Sequence, residues 1–273
     1  MTDTVRVAGV ELSVGASTDV GRRRKVNEDS ILAEPPVFLV ADGMGGYEAG
    51  DRASRAVVDA FRGVFDGHEV ADLEALRDAL MDADDGVDLV AAETARGAGS
   101  TVAGAALLDL EGGPQWVIFN VGDSRVYRFW DGMLQQVTRD HSLGQELHAA
   151  GQLTDEELEN FDRRNVITRA IGAANSDADS WITAVVDHER LLLCSDGLTS
   201  EVPDDTIATL LASTADPDAC ALALVDAANA AGGKDNISVI VIDVLSGGTA
   251  APVEAPDAVD EPVEDTGTLP VPR

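Results

Sequence analysis

The sequence predicts an α+β fold of antiparallel sheets with helices in separate blocks. Three observations carry that prediction. Apolar strand-like runs follow one another in hairpin order, helical periodicity is confined to a few long blocks, and no βαβ alternation links the two. With 273 residues, 45% apolar and 25% charged, the chain is long enough to bury the core of one large domain.

The elements follow in chain order. Val10 to Ala16 alternates as a strand does. Val37 to Ala41 is a continuous apolar run. Val57, Ala60, Phe61, Val64 and Phe65 mark one helix face, ended by Asp66-Gly-His68. Leu73, Leu76, Leu80, Val87 and Val90 mark a longer helical region, with Gly86 as its candidate break. Strands are expected at Thr101 to Leu108 and at Trp116 to Val121. Val126 to Trp130 and Leu134 to Val137 flank Asp131-Gly132, the signature of a type I′ hairpin. Residues 143–164 are polar and helical without a strong apolar stripe, as in a surface excursion. Strands return at Trp181 to Val186 and Leu191 to Cys194. Helices at Asp204 to Ala212 and Asp216 to Ala231 precede a last strand, Ile237 to Val244. The predicted domain is 1–245. Residues 246–273 change to Gly, Ala, Pro, Asp and Glu, the composition of a disordered acidic tail. In it, Glu264-Asp-Thr-Gly-Thr268-Leu-Pro reads as plain acidic tail or as a phosphorylation or docking peptide.

Composition excludes several classes. A net charge of -31 repels nucleic acid and reads as a solvated acidic surface in preference to an acidic docking face. No apolar run approaches the ~18 residues of a membrane span, and the N-terminus lacks the pattern of a signal peptide. Two cysteines, Cys194 and Cys220, point to a reducing compartment without a disulfide framework, hence a cytoplasmic location. Cys194 sits inside an apolar strand and reads as a small buried hydrophobe.

The chemistry lies in a repeated pattern. Three apolar runs end in aspartate beside glycine, at Asp42-Gly43, Gly122-Asp123 and Asp196-Gly197, and a mirrored version, Gly232-Gly-Lys-Asp235-Asn236, leads into the last strand. Four carboxylates at the ends of buried strands repel one another unless a cation holds them, and such oxygens suit hard metals. His68, His141, His148 and His188 are not spaced as a zinc pair, and no CxxC occurs. Mg²⁺ or Mn²⁺ is the better fit. Two such ions about 3.5–4 Å apart share one water and lower its pKa, and a bridging Asp is the natural scaffold. The glycine after Asp42 leaves a backbone carbonyl approachable. The segment Asp19-Val-Gly-Arg-Arg-Arg24-Lys-Val-Asn-Glu28-Asp29 is locally basic within an acidic chain. Its arginines match phosphate oxygens, and its acids stand where they reach metal-bound waters.

These segments resemble the metal-dependent protein phosphatases of type 2C, in particular the compact bacterial serine/threonine phosphatases. The resemblance runs through nearly all of 12–244 in the family's order. It rests on Asp-x-Gly-x-x-Arg-x-x-Asn-Glu-Asp (19–29), Asp-Gly-Met-Gly-Gly (42–46), Gly-Ser-Thr (99–101), Val-Gly-Asp-Ser-Arg (121–125), Asp-His-Ser (140–142), Ile-Thr-Arg-Ala-Ile-Gly (167–172), Ser-Asp-Gly-Leu-Thr (195–199) and Lys-Asp-Asn-Ile-Ser (234–238). It implies a four-layer α-β-β-α sandwich with the metals at one end. It implies Asp42 as bridging ligand, Gly43 as carbonyl ligand, and Asp196 and Asp235 on the same site, these aspartates being the catalytic set. Glu28 and Asp29 would act through water, Arg24 would take the substrate phosphate, Asp123 would hold a weaker third metal, and 143–164 would be a flap. Asn236 is expected to orient Asp235. The implied reaction is hydrolysis of phosphoserine and phosphothreonine by a metal-bridging hydroxide. The implied partners are phosphoproteins, a serine/threonine kinase and its substrates, acted on by a monomer.

Two departures stand out. Met44 replaces the histidine that many eukaryotic members carry after the first Asp-Gly, so leaving-group protonation would fall to a metal-bound water or another group, and His141 reads as a proton donor or a structural loop residue. Ser200 replaces an aspartate that supports the third metal in some members, so Asp123 serves an outer ion or only ends a strand. Other phosphatase chemistries fail on the residues. A haloacid dehalogenase-type nucleophile would need aspartate at Val40 or Cys194, a cysteine phosphatase would need arginine at Ser200 or Asp226, and the histidine motifs of a calcineurin-like enzyme are absent. A catalytically impaired binding module would have lost a metal Asp or the phosphate Arg; Asp42, Asp196, Asp235 and Arg24 are all present.

Overall fold

The structure is a computed structural model that describes residues 4–45 and 49–250. Gly46 of the first Asp-Gly block, and the tail from 251 on with its Thr266 and Thr268, lie outside them.

The expected elements form, with additions. The strands are β1 (Thr4–Val7), β2 (Val10–Asp19), β3 (Asp29–Glu34), β4 (Val37–Gly45), β5 (Ala98–Ser100), β6 (Val102–Leu110), β7 (Gly113–Val121), β8 (Arg125–Trp130), β9 (Met133–Gln136), β10 (Asp179–Ala184), β11 (Arg190–Cys194) and β12 (Ile237–Ser246). The helices are α1 (Ala49–Phe65), α2 (Leu73–Ala92), α3 (Leu143–Ala149), α4 (Asp155–Glu159), α5 (Asp196–Thr199), α6 (Asp204–Ser213) and α7 (Pro217–Ala231). One sheet has the order β1-β2-β12-β11-β8-β9, the other β10-β7-β6-β4-β3 with β5 on β4, and every strand pair is antiparallel.

Three apolar layers hold four layers of structure together. Alternation along the central strands sends one set of side chains between the sheets, including Leu12, Phe38, Val40, Trp116, Ile118 and Ile240. The other set goes outward. Leu39, Val117 and Phe119 meet α1 and α2 through Val57, Phe61, Leu76 and Val87. Leu192, Val239 and Val241 meet α6 and α7 through Ile207, Leu211, Leu224 and Val225. This is the α-β-β-α sandwich expected. The sheets are also joined by a polar link. Trp116 Nε1 donates to Glu189 at 2.9 Å, and the other Glu189 oxygen pairs with Arg128 Nε at 2.6 Å.

Two details refine the sequence reading. Asp131 and Gly132 both adopt left-handed φ, 49° and 77°, as the type I′ turn requires. Gly86 does not break α2. It faces Ala56 of α1, where an added Cβ would make ordinary contact at 3.5 Å, and the helix runs on through it. The chain stays bonded past the expected boundary at 245, with Thr249 N–H donating to Val185 O at 2.8 Å. Among the described residues, no helix is long and apolar enough to cross a membrane.

Candidate active site

Strand order and register bring the predicted carboxylates to one end of the sandwich. Asp29 opens β3 and sits opposite Asp42 on β4. Asp123 follows β7 in the same sheet, whereas Asp196 follows β11 and Asp235 precedes β12 in the other. The acids therefore arrive from both sheets, and Asp42 feels the charges of Asp29, Asp196, Asp123 and Asp235.

Burial and mutual repulsion push these groups toward their neutral forms. Burial, then the nearby Asp196 and Asp235, raises Asp29 to about 7 even though Ser238 and Ser195 donate to it. Asp123 rises to about 8 through burial and the charges of Asp196 and Asp140. Asp42 lies well above the carboxylate range, from burial and then its acidic neighbours. Asp196 is raised by burial and then by Asp235, and Asp42 shares a hydrogen bond with it. Asp29 Oδ1, Asp123 Oδ1 and Asp196 Oδ1 are buried without a hydrogen-bond partner. Buried acceptors without donors are costly, and hard-oxygen acceptors of this kind fit a divalent cation. Among the described residues, no three such side chains are already closed around one point.

Arg24 is a counterion that these acids have in the chain itself, and Arg125 also acts on Asp123 and Asp196. Arg24 Nη2 lies 2.6 Å from Asp235 Oδ2 and its Nη1 3.9 Å from Glu28 Oε2. The loop carrying it is pinned. Gly21, at φ 78°, turns the chain where a side chain would sit 2.1 Å from Asp235 O. Its N–H donates to Asp19 Oδ1, which also accepts from Asn229, and Arg22 N–H donates to Gly233 O at 2.7 Å. Asn236 does not orient Asp235 through its side chain, as expected from sequence. Its Nδ2 donates to Val20 O and Val26 O, and its Oδ1 accepts from Glu28 N–H, each near 2.9 Å. It clamps both ends of the Arg24 loop, and only its backbone N–H reaches Asp235, at 2.9 Å.

Gly43 and Glu28 form a second close-packed point. Gly43 N–H donates to Glu28 O at 3.0 Å, and a side chain at Gly43 would lie 1.9 Å from Gly50 O in the first turn of α1. Glu28 is raised by burial, which Arg24 opposes, and its carboxylate accepts from Gly50.

Sequence reasoning did not single out the hydroxyls that hold the acids. Ser195 Oγ donates to Asp29 Oδ2 at 2.8 Å and accepts from Ser238 N–H at 3.0 Å, which ties β3 to the opposite sheet. Thr101 N–H donates to Asp42 O, Thr101 Oγ1 accepts from Asp42 N–H, and Thr101 Oγ1 lies 2.7 Å from Ser124 Oγ. Both residues stand inside the blocks Ser195-Asp196-Gly and Gly-Ser-Thr101, where the signal was visible but the partners were not.

His141 has a structural geometry. Its Nδ1 accepts from Gly122 N–H at 3.1 Å and its Nε2 faces Asp179 Oδ2 at 3.2 Å. Asp179 is held down at about 2, first by His141 and also by Arg169. Both ring nitrogens have polar neighbours, and the buried ring braces the turn before Asp123. Residues 143–164 form α3, α4 and turns. With the core they border an open polar cavity of about 190 Å³ lined by Asp123, Asp196, Ser200, Leu158, Arg164 and Asn165. Ser200 thus stands beside Asp123 and Asp196.

Comparison with known proteins agrees with this geometry. Residues 21–219 match the family model for Protein phosphatase 2C. The serine/threonine phosphatase stp of Listeria monocytogenes is 35% identical over 83% of this chain and 93% of its own length. The crystal structure of the Mycobacterium tuberculosis serine/threonine phosphatase PstP/Ppp superposes with a TM-score of 0.80 at 31% identity, covering 87% of this chain and all of that one (100%). A PstP catalytic domain in complex with two manganese ions gives 0.77 at 31% identity, over 87% of this chain and 99% of that one.

Proposed function

The chain belongs to the protein phosphatase 2C family, and from that premise we propose that it is a metal-dependent protein serine/threonine phosphatase. The observation that carries the reading is the cluster of buried strand-end carboxylates with unpartnered oxygens beside an arginine. We assign the holding of Mn²⁺ or Mg²⁺ to Asp42, the Gly43 carbonyl, Asp196 and Asp235, with Glu28 and Asp29 acting through water and Asp123 at an outer position. When bound, such ions lower the pKa of a water and neutralise phosphoryl charge.

The chain's own residues do the rest. Arg24 is half exposed at the mouth of the site, and its planar fork can exchange a carboxylate for two phosphate oxygens without moving its backbone. Asn236 and Asp19 keep that backbone in place. Ser195 and Thr101 fix Asp29 and Asp42, so the acids are held in position before substrate arrives. His141 holds the Gly122 turn and is not the proton donor. The substrates are phosphoserine and phosphothreonine in proteins, set by a serine/threonine kinase, and we place the enzyme in the cytoplasm as a monomer.

The test is hydrolysis of a phosphothreonine peptide by the purified chain. Turnover with Mn²⁺ that disappears in EDTA is the expected result. Turnover that persists in EDTA, or none with Mn²⁺, overturns the reading.

A further inference from the structure

The loop that presents Arg24 also carries three cations that the chain leaves unengaged. Arg22, Arg23 and Lys25 are exposed, and none forms an ion pair with a described residue. They stand together in one short segment of a chain with 50 acids and 19 bases. Many other cations meet the chain's own carboxylates, as Arg125 does with Asp140, Arg169 with Asp179, Arg190 with Asp243 and Lys234 with Glu201. The loop is also fixed. Asn236 grips Val20 O and Val26 O, one on each side of the four cations, and Arg22 N–H is bonded to Gly233 O. The three free cations are therefore displayed from a pinned backbone at the rim of the site.

We propose that Arg22, Arg23 and Lys25 form a specificity rim that favours phosphorylated segments with Asp or Glu beside the phosphoresidue. The inference rests on the phosphatase reading above. With the phosphate on Arg24, the neighbouring residues of an extended substrate fall about 3.3 Å apart, and the rim residues follow one another at about 3.8 Å. Both spacings lie well inside the ~8 Å Debye length at physiological salt. The repulsion of an acidic segment by the distant bulk of the -31 charge is screened beyond that range, so the nearby cations decide the sign. Each exposed pair contributes about two- to five-fold, and two together about ten-fold.

The test uses the full chain with Mn²⁺ and three substrates: a phosphothreonine peptide with Asp/Glu flanks, the same peptide with Asn/Gln flanks, and p-nitrophenyl phosphate, which has no flanks. The expected result is a kcat/KM about ten-fold higher for the acidic peptide at low salt, shrinking as salt rises. In Arg23→Gln/Lys25→Gln the preference should fall to about two-fold, with p-nitrophenyl phosphate turnover unchanged. A wild type without the preference, or a double variant that keeps it, overturns the rim. Failure of the wild type to turn over any of the three substrates strikes the phosphatase reading instead.

Discussion

Stripping divalent cations from this protein should make its stability fall as pH rises from 5 to 8. Asp29 is raised to about 7 and Asp123 to about 8 in the folded chain, against about 3.9 for an unfolded aspartate. Between those limits the folded state keeps protons that the unfolded state has released. More protons bound in the folded state means that stability decreases with pH across that window and levels off above it. At 1.36 kcal/mol per pH unit, one such carboxyl accounts for on the order of 4 kcal/mol. The two acids repel common neighbours and the emptied site relaxes, so a total near that single value is expected. For a chain of this size each kcal/mol moves Tm by about 2–4 °C, which gives a fall of roughly 10 °C. Asp179, held at about 2, is already ionised throughout the window and leaves the slope alone. Thermal melts followed by circular dichroism at pH 5, 6, 7 and 8 in EDTA would show the decline, and saturating Mn²⁺ should flatten it. Asp29→Asn should remove part of the slope in EDTA. A metal-free Tm that is constant or rises from pH 5 to 8 refutes the reasoning.

Three further outcomes follow from the same geometry. Asp42→Asn should lower kcat by about 10³-fold or more, the loss expected when a two-ion scaffold is removed, while circular dichroism and the metal-free melt show an intact fold. Arg24→Ala should raise KM for phosphopeptides with little change in kcat, as loss of ground-state phosphate binding predicts; steady-state kinetics decide this. Arg190→Ala should cost about 3–5 kcal/mol in urea unfolding, because it leaves Asp243 unpaired and the Leu211, Thr214 and Ala215 carbonyls without their donor.

The parts of the fold legible in the sequence were those whose signal is local. The runs at Val37 and Leu191, the turn at Asp131-Gly132 and the faces of α1 and α2 each show within a single element or turn. β3 escaped because Asp29-Ser-Ile-Leu-Ala-Glu34 has three adjacent apolar residues instead of alternation, and pairing with β4 makes it a strand. β5 is three residues long and exists through its register with Gly43 to Gly45. In the site, the aspartates were visible because each ends a strand beside a glycine. The hydroxyls and amide that hold them were not, since Ser195 reaches Asp29 across 166 positions and Asn236 reaches Glu28 across 208. His141 was ambiguous for the same reason, as its Gly122 and Asp179 partners lie on separate segments.

The central claim is that the strand-end carboxylates form one centre for hard divalent cations. Calorimetric titration of the metal-free protein with Mn²⁺ tests it most directly, in wild type and in Asp42→Asn. The account predicts at least two ions bound by the wild type and loss of the tight sites in the variant; an unchanged stoichiometry and affinity in Asp42→Asn would contradict it.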